Sequence, residues 1–288
     1  SIAGNINVSS SLVNNILFNN TNGTLLAQLG SINFRDASFT PKLDLDLLGG
    51  DVISKSLNIW SGQGTSIIDI GLLTGTLNVS TGVMHLNENT PDLSLGTITI
   101  LRDPTFFNQG NVQINSAIQT NGNSLAIVAS GNVTSTATGS INTTQAAGAG
   151  GNVLILAGAA FTTPGAGSAT SSGQNGGAGD ISSTLTITGG ASSTGGFIDL
   201  SNLTTPAVPA GALSGFQTTA TGGGSGGNVT LVAFASGTAG TGVITTAGLQ
   251  GGILSAGVGG NNGNVEMIAG ATSGVGINAG DINSAGTA

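Results

Sequence analysis

The chain has 288 residues, of which 51 are glycine and only 6% are charged, with 12 acidic residues against four basic ones and no cysteine. The four basic residues are Arg35, Lys42, Lys55 and Arg102. A chain without Lys or Arg from Asp103 onward lacks the basic footprint that nucleic acid requires, and its net charge of −8 opposes an anionic membrane surface. Zero cysteine removes disulfides and thiolate metal sites, and no apolar run approaches the ~18 to 20 residues of a membrane helix. The absence of a strict G-X-Y period excludes collagen.

In chain order, residues 1–103 carry the bulk. Strands are predicted at Ile16, Leu25, Ile32, Leu43, Val52, Ser66, Thr76, Val83 and Thr97, with centres roughly 8 to 14 residues apart, the spacing of an all-β chain. The segment LDLDL sets Leu43, Leu45 and Leu47 on one face and Asp44 and Asp46 on the other. No window carries a helical stripe, and Gly, Ser, Thr and Asn disfavour one. At LRDPTFFNQ, Pro104 argues against a central ladder and for a corner or small excursion, a soft boundary in the chain.

Residues 104–288 are a Gly/Ser/Thr/Ala-rich continuation of the same array, with 40 of the 51 glycines between 101 and 288. Its strands are predicted at Val112–Ile114, Leu125–Val128, Val153–Leu156, Leu185–Ile187, Phe197–Leu200, Val229–Val232, Val243–Thr245, Ile253–Leu254 and Val265–Ile268. Two stretches, Thr162–Gly179 and Thr204–Gly227, are predicted bare of strands and expected to protrude or to pack as flaps. GGNVLILAG at Gly150 recurs as GGNVTLVAF at Gly226 and as NGNVEMIAG from Asn262. Val153, Val229 and Val265 hold matching places, 76 and 36 residues apart, which suggests two units and one unit of a period in the upper thirties. That unit gives seven or eight coils; a coil nearer 20 residues would double the length.

Short strands with one apolar face need neighbours, and stacking each coil on the last pairs every backbone group at about 4.8 Å spacing. The fold expected is therefore all-β: a single-stranded parallel, right-handed β-helix or β-solenoid with Gly/Asn-rich corners. Val153, Ile155, Val229, Leu231, Val265 and Met267 should face inward. Asn111, Asn152, Asn228 and Asn264 should stack at the corners, each side-chain amide bonding to the copies above and below, and replacing Asn152, Asn228 or Asn264 by Asp should leave an internal corner with an unpaired charge.

GGDVISKSLNIWSGQG (Gly49–Gly64), NGNSLAIVASGNVTS (Asn121–Ser135) and GGNVLILAG (Gly150–Gly158) resemble the passenger repeats of bacterial filamentous-haemagglutinin-type secreted proteins, over about residues 45–288. The resemblance implies a right-handed parallel β-helix displayed outside the cell for adhesion, aggregation or matrix building. The family's asparagine-proline secretion signatures and an Arg-Gly-Asp are absent, so outer-membrane targeting and integrin binding are not implied.

Signals for chemistry are sparse. His85 is the lone histidine, and with Glu88 it falls short of the three or four convergent ligands a metal needs. Asp44 and Asp46 stand at a separation a glycosidase pair could use, but without the aromatic and basic surroundings that hold a sugar. GGAGDI (Gly176–Ile181) and NAGDI (Asn278–Ile282) approach a calcium nonapeptide but lack its spacing and tandem repetition. The expectation is a non-enzymatic chain with no catalytic, cofactor-binding or metal residues. Its expected partner is itself, with cell-surface glycans or a receptor as the adhesin alternative and a carbohydrate-active enzyme as a remote one. It is expected to be secreted and not membrane-spanning, and its start at SIAG suits a processed product or an internal piece.

Overall fold

The computed structural model describes residues 4–10, 15–19, 23–36, 44–48, 50–61, 65–70, 72–81, 83–88, 90–100, 104–145, 147–162, 186–205 and 214–284. Within them the chain is all β, without a helix. Nearly every strand pairing is parallel, in curled sheets of 15 and nine strands, and the strand order is that of a β-solenoid.

Each coil lays strand on three faces. The third face is the simplest, a column of β2 (Asn15–Asn19), β4 (Asp44–Leu48), β6 (Thr65–Ile70), β8 (Val83–Glu88), β10 (Pro104–Asn108), β13 (Leu125–Ala129), β16 (Val153–Ala157), β21 (Val229–Ala233) and β24 (Val265–Ala269). At strand spacing those nine rungs span roughly 38 Å. The other two faces begin as halves of one long strand. β3 (Thr24–Asp36), β5 (Asp51–Trp60) and β7 (Leu72–Thr81) stack in parallel with register shifts at Ala27/Ser31, Ile53/Ser56 and Leu77/Val79. Those shifts mark the bend between the faces. At the bend in β7, Gly75 has φ +90°, and a Cβ there would lie 2.2 Å from the Ser54 carbonyl oxygen.

β9 (Asp92–Ile100) is where the faces separate. Its first half pairs with β11 (Asn111–Ile114) and its second with β12 (Ala117–Gln119). The first face then continues through β14 (Val133–Ser135), β19 (Ile198–Asp199), β22 (Ile244–Thr245) and β25 (Ile277–Asn278). The second continues through β15 (Ser140–Asn142), β20 (Phe216–Gln217), β23 (Ile253–Leu254) and β26 (Ile282–Asn283), with β1 (Ile6–Ser10) at its amino-terminal end.

The inward side chains form one continuous core from Ala27 to Ile253. Val153, Ile155, Val229 and Leu231 are buried in it, and Val265 and Met267, on the last described rung of that face, pack against it half-buried. Leu45 and Leu47 are likewise buried, as the alternation in LDLDL requires.

Three expectations are corrected. Val153 and Val229 lie on adjacent rungs, so the 76 residues between them are one coil and not two. Aligned positions in successive coils are 26, 25, 20, 21, 28, 76 and 36 residues apart along the chain. The basic turn is thus near 20, and the repeated Gly-Asn motif belongs to coils lengthened by excursions. Second, Pro104 opens β10, a regular rung whose residues pair with both Met84–Glu88 and Ala126–Ala129; a first-residue proline leaves the rest of the ladder intact. Third, the stretch read as bare between Thr204 and Gly227 contains β20, whose Phe216 is a fully buried core residue.

One excursion is partly described. β17 (Ala159–Thr162) and β18 (Thr186–Ala191) form an antiparallel pair beside the third face. Phe161 meets Phe107 with ring centroids 6.4 Å apart, and with Val128, Leu156 and Ala159 they make a second, smaller apolar cluster. Phe107, Val128, Leu156 and Val232 are register partners in one column, the outward one because their neighbours Phe106, Ile127, Ile155 and Leu231 lie in the main core. That outward column is why the excursion folds back over the sheet.

Candidate functional site

The residues singled out for chemistry are not brought together. His85 sits mid-strand in β8, paired in register with Ile67 and Thr105, and its side chain lies outside the described residues. Asp44 and Asp46 hold alternate positions in β4, opposite Asn15 and Leu17, and their side chains are also outside the described residues. Gly176–Ile181 is outside them altogether. Asp281 stands exposed between β25 and β26. Among the described residues no three or more His, Cys, Asp or Glu side chains converge where a metal ion could be held. No described helix is long and apolar enough to cross a membrane.

The structure assembles three columns of polar side chains along the coil axis instead. The first is an asparagine ladder. Asn33 Nδ2 donates to Asn7 Oδ1, Asn58 Nδ2 to Asn33 Oδ1, and Asn78 Nδ2 to Asn58 Oδ1, each at 2.8 Å. Asn78 Oδ1 then accepts the Thr97 backbone N–H at 2.9 Å. Every donor points toward the preceding coil, so the ladder has a direction. Its members lie in INV, INF, LNI and LNV, a repeated apolar-Asn-apolar signal that could have exposed it.

The second column precedes the third face. Asn228 N–H donates to Asn152 Oδ1, and Asn264 N–H to Asn228 Oδ1, both at 2.8 Å. Asn111 Oδ1 likewise accepts from Asn132 N–H at the entrance to the first face. The expected amide-to-amide stacking is corrected: the side-chain oxygens of Asn111, Asn152 and Asn228 each receive the backbone N–H of the asparagine one coil on. Asn152, Asn228 and Asn264 are exposed, so the expected buried charge on changing them to Asp does not arise. Gly151, Gly227 and Gly263 precede them in a close stack, with a Cβ on Gly227 or Gly263 only 2.1 Å from the carbonyl oxygen of the glycine one coil before.

The third column is buried, at the corner between the second and third faces. Thr143 Oγ1 donates to Gly151 O at 2.6 Å, Thr218 Oγ1 to Gly227 O at 2.7 Å, and Ser255 Oγ to Gly263 O at 3.1 Å. In each case the backbone N–H of that glycine returns a bond to the hydroxyl residue's carbonyl. The pair of bonds closes the corner and satisfies polar groups that water does not reach. Earlier in the chain, Ser61, Ser66 and Thr81 form a buried hydroxyl triad there.

Two shallow openings, of about 580 and 230 Å³, adjoin on the first face and share Asn111 and Asn132. Asp92, Ser94, Gln113, Thr134, Ser130, Thr194 and Phe197 also line them. Asn111 Nδ2 donates to Asp92 Oδ1 at 2.8 Å, and Asn132 Oδ1 accepts the Phe197 N–H at 3.0 Å, so both amides are held in place. Asp92 is the one charged residue among the lining. Asp199, on the same face, directs one carboxylate oxygen to the Ser201 N–H and hydroxyl instead.

The remaining feature is at the two ends. The inward apolar residues that stay half-buried are Ile6, Val8 and Leu25 at one end and Val265, Met267 and Ala269 at the other. Of the large apolar side chains that are exposed, Ile268, Val275, Ile277 and Ile282 all belong to the last coil. The chain matches no family model, no curated protein and no solved structure.

Proposed function

We propose that this chain is a structural, self-associating segment of an extracellular fibre or matrix, a right-handed β-solenoid that works by stacking and not by catalysis. The observation that carries this reading is the parallel stack itself, one continuous apolar core running along the coil beneath axial columns of asparagine and buried hydroxyls. Parallel strands that pair backbone to backbone from coil to coil can take up a coil of another copy in the same way. The right hand follows the general preference of parallel crossover connections, and the extracellular setting rests on the likeness of the repeats to secreted passengers. Sedimentation velocity across micromolar concentrations, with electron microscopy of the same sample, tests the reading. Concentration-dependent growth into rods is expected, and a monomer at high micromolar concentration would overturn it.

The groove favours a second reading, an adhesin segment that holds a neutral glycan. Its fixed amides, hydroxyls and single Phe197 offer hydrogen bonds and one apolar surface without a cationic group. Binding of neutral oligosaccharides that is lost in Asn132→Leu and Gln113→Ala would select it.

A further inference from the structure

The chain's only tryptophan, Trp60, is 44% exposed on the second face, although rungs lie on both sides of it. Its register partners are Arg35 in β3 and Ser80 in β7, so its exposure belongs to the flat of the sheet. A large aromatic side chain is normally among the most buried, and one left in water on a polar face marks a contact surface. We propose that the second face, from β3 to β9, binds an acidic polysaccharide, with a uronate ring stacked on Trp60 and its carboxylate held by Arg35. The proposal goes beyond the self-association reading and uses none of the residues of the first-face groove.

Charge is the first support. The basic side chains among the described residues are Arg35 and Lys55, and both are exposed along this face. Arg35 occupies the Trp60 column one rung before it. Lys55 lies at the opposite border, in the bend marked by the register shift at Ile53/Ser56. Asp51 and Asp92 stand away from both, where β5 and β9 begin on the first face. Asp36 follows Arg35 and pairs with Ser10, and its side chain lies outside the described residues. In a chain of net charge −8, positive charge thus gathers on the face that carries the one indole. A guanidinium takes a carboxylate bidentately, and at physiological ionic strength charge elsewhere on the molecule is screened within about 8 Å.

Hydrogen bonding is the second. Between the two cations runs the asparagine ladder, which fixes the orientation of each amide. Asn33 and Asn78 each commit one Nδ2 hydrogen to the ladder, and each Oδ1 accepts one bond of the two it can take. Each therefore keeps a donor and an acceptor, repeated along the axis at the rung spacing of about 4.8 Å. Asn58 Nδ2 is committed twice, to Asn33 Oδ1 and to Ser56 Oγ, and serves to hold the ladder. A pyranose matches this surface. Its rim carries adjacent hydroxyls that both donate and accept, and its C–H face suits the negative face of an indole. A neutral sugar would leave Arg35 unused. A nucleic acid strand would require more than two cations along a track otherwise lined by neutral amides.

Because Trp60 is the only tryptophan, its emission reports this face alone. The full chain is titrated with hexagalacturonate, with the methyl ester of the same oligosaccharide, and with an oligothymidylate of equal length. Hexagalacturonate should shift or quench the emission saturably and shield the indole from acrylamide, and the ester should bind about tenfold more weakly. Arg35→Ala should weaken binding of the acid by about the same factor and leave that of the ester unchanged, with Arg35→Lys between. Trp60→Ala, followed by calorimetry, should weaken both. Each variant should keep the parent's melting temperature, since both side chains are exposed. An emission that does not respond to millimolar acid, equal binding of acid and ester, or tighter binding of the oligothymidylate would overturn the proposal. So would an emission that changes with protein concentration alone, in step with assembly seen by sedimentation, which would assign the face to a second copy. A chain that stays monomeric and binds the acid would keep this site and overturn self-association.

Discussion

Asn58 and Asn228 are the same residue type in two columns of opposite logic. Asn58 both donates to and accepts from a neighbouring side chain, and it is half-buried. Asn58→Asp replaces the donor to Asn33 Oδ1 with an oxygen, setting two acceptors face to face; the expected cost is about 1 to 3 kcal/mol. That repulsion would raise the folded-state pKa of the new carboxyl above its unfolded ~3.9. The loss should therefore be greatest at neutral pH and recede as pH falls through the carboxylate range, when protonation restores a donor. Asn228 contributes only its oxygen, to a backbone N–H, from an exposed position. Asn228→Asp should change stability by less than about 0.5 kcal/mol, and Asn228→Ala should cost roughly 0.5 to 1.5 kcal/mol. Thermal melts of the three variants across pH 3 to 8 check this; equal losses for the two Asp variants would contradict the two-ladder account. The buried hydroxyls admit the same test, with Thr218→Val leaving Gly227 O short of a donor at about 1 to 2 kcal/mol.

Between residues, the spacing of coils is policed by glycine. Gly227 lies against Gly151 so closely that an added Cβ would meet its carbonyl oxygen at 2.1 Å, backbone against backbone. Gly227→Ala must push two rungs apart and is expected to cost roughly 1 to 3 kcal/mol, as overpacking does. Gly276→Ala is the matched control, since its nearest contact would be the Ala269 Cβ at an ordinary 3.4 Å. The β17–β18 pair is held differently, by side chains on the outer surface of the third face. Replacing residues 159–191 with a short Gly-Ser link should leave the parallel rungs in place, because β16 and β21 pair through their own backbones. It would uncover Phe107, Val128 and Leu156, so dye binding to exposed apolar surface should rise while the far-ultraviolet β signal persists. Loss of that β signal would show that the excursion is needed for the coil itself.

For the whole molecule, the contact that would build a fibre joins backbone edges and apolar columns, with few charges near it. Fibres should therefore persist in 1 M salt, where surface ion pairs are screened to about 3 Å, and in excess chelator. Turbidity and sedimentation under both conditions check this, and dissolution by chelator would point to bound calcium at the Gly-Asp corners instead. The chain's length does not translate into a long rod. Among the described residues the third face has nine rungs, and the coil from Asn152 to Asn228 alone takes 76 residues.

Much of the architecture is legible in residue order. Alternation in LDLDL, and the recurrence of Val153, Val229 and Val265 after Gly-Asn, suffice to place strands, make them parallel and orient their inward side chains, because strand periodicity and repetition are local properties. Rungs of two or three residues are not legible that way. β14 turns Ser135 inward in register with the core residue Ile114, and β15 buries Ser140 and Asn142 on the side opposite the core residue Ile141; neither burial follows from the residues' own polarity. Phe216 was hidden among glycines for the same reason. The direction of the asparagine ladder and the pairing of Val153 with Val229 across 76 residues are decided only by tertiary structure. Each depends on which rung lies above which, and loop length, whose entropic cost grows slowly, leaves that choice to the packing of the finished coil.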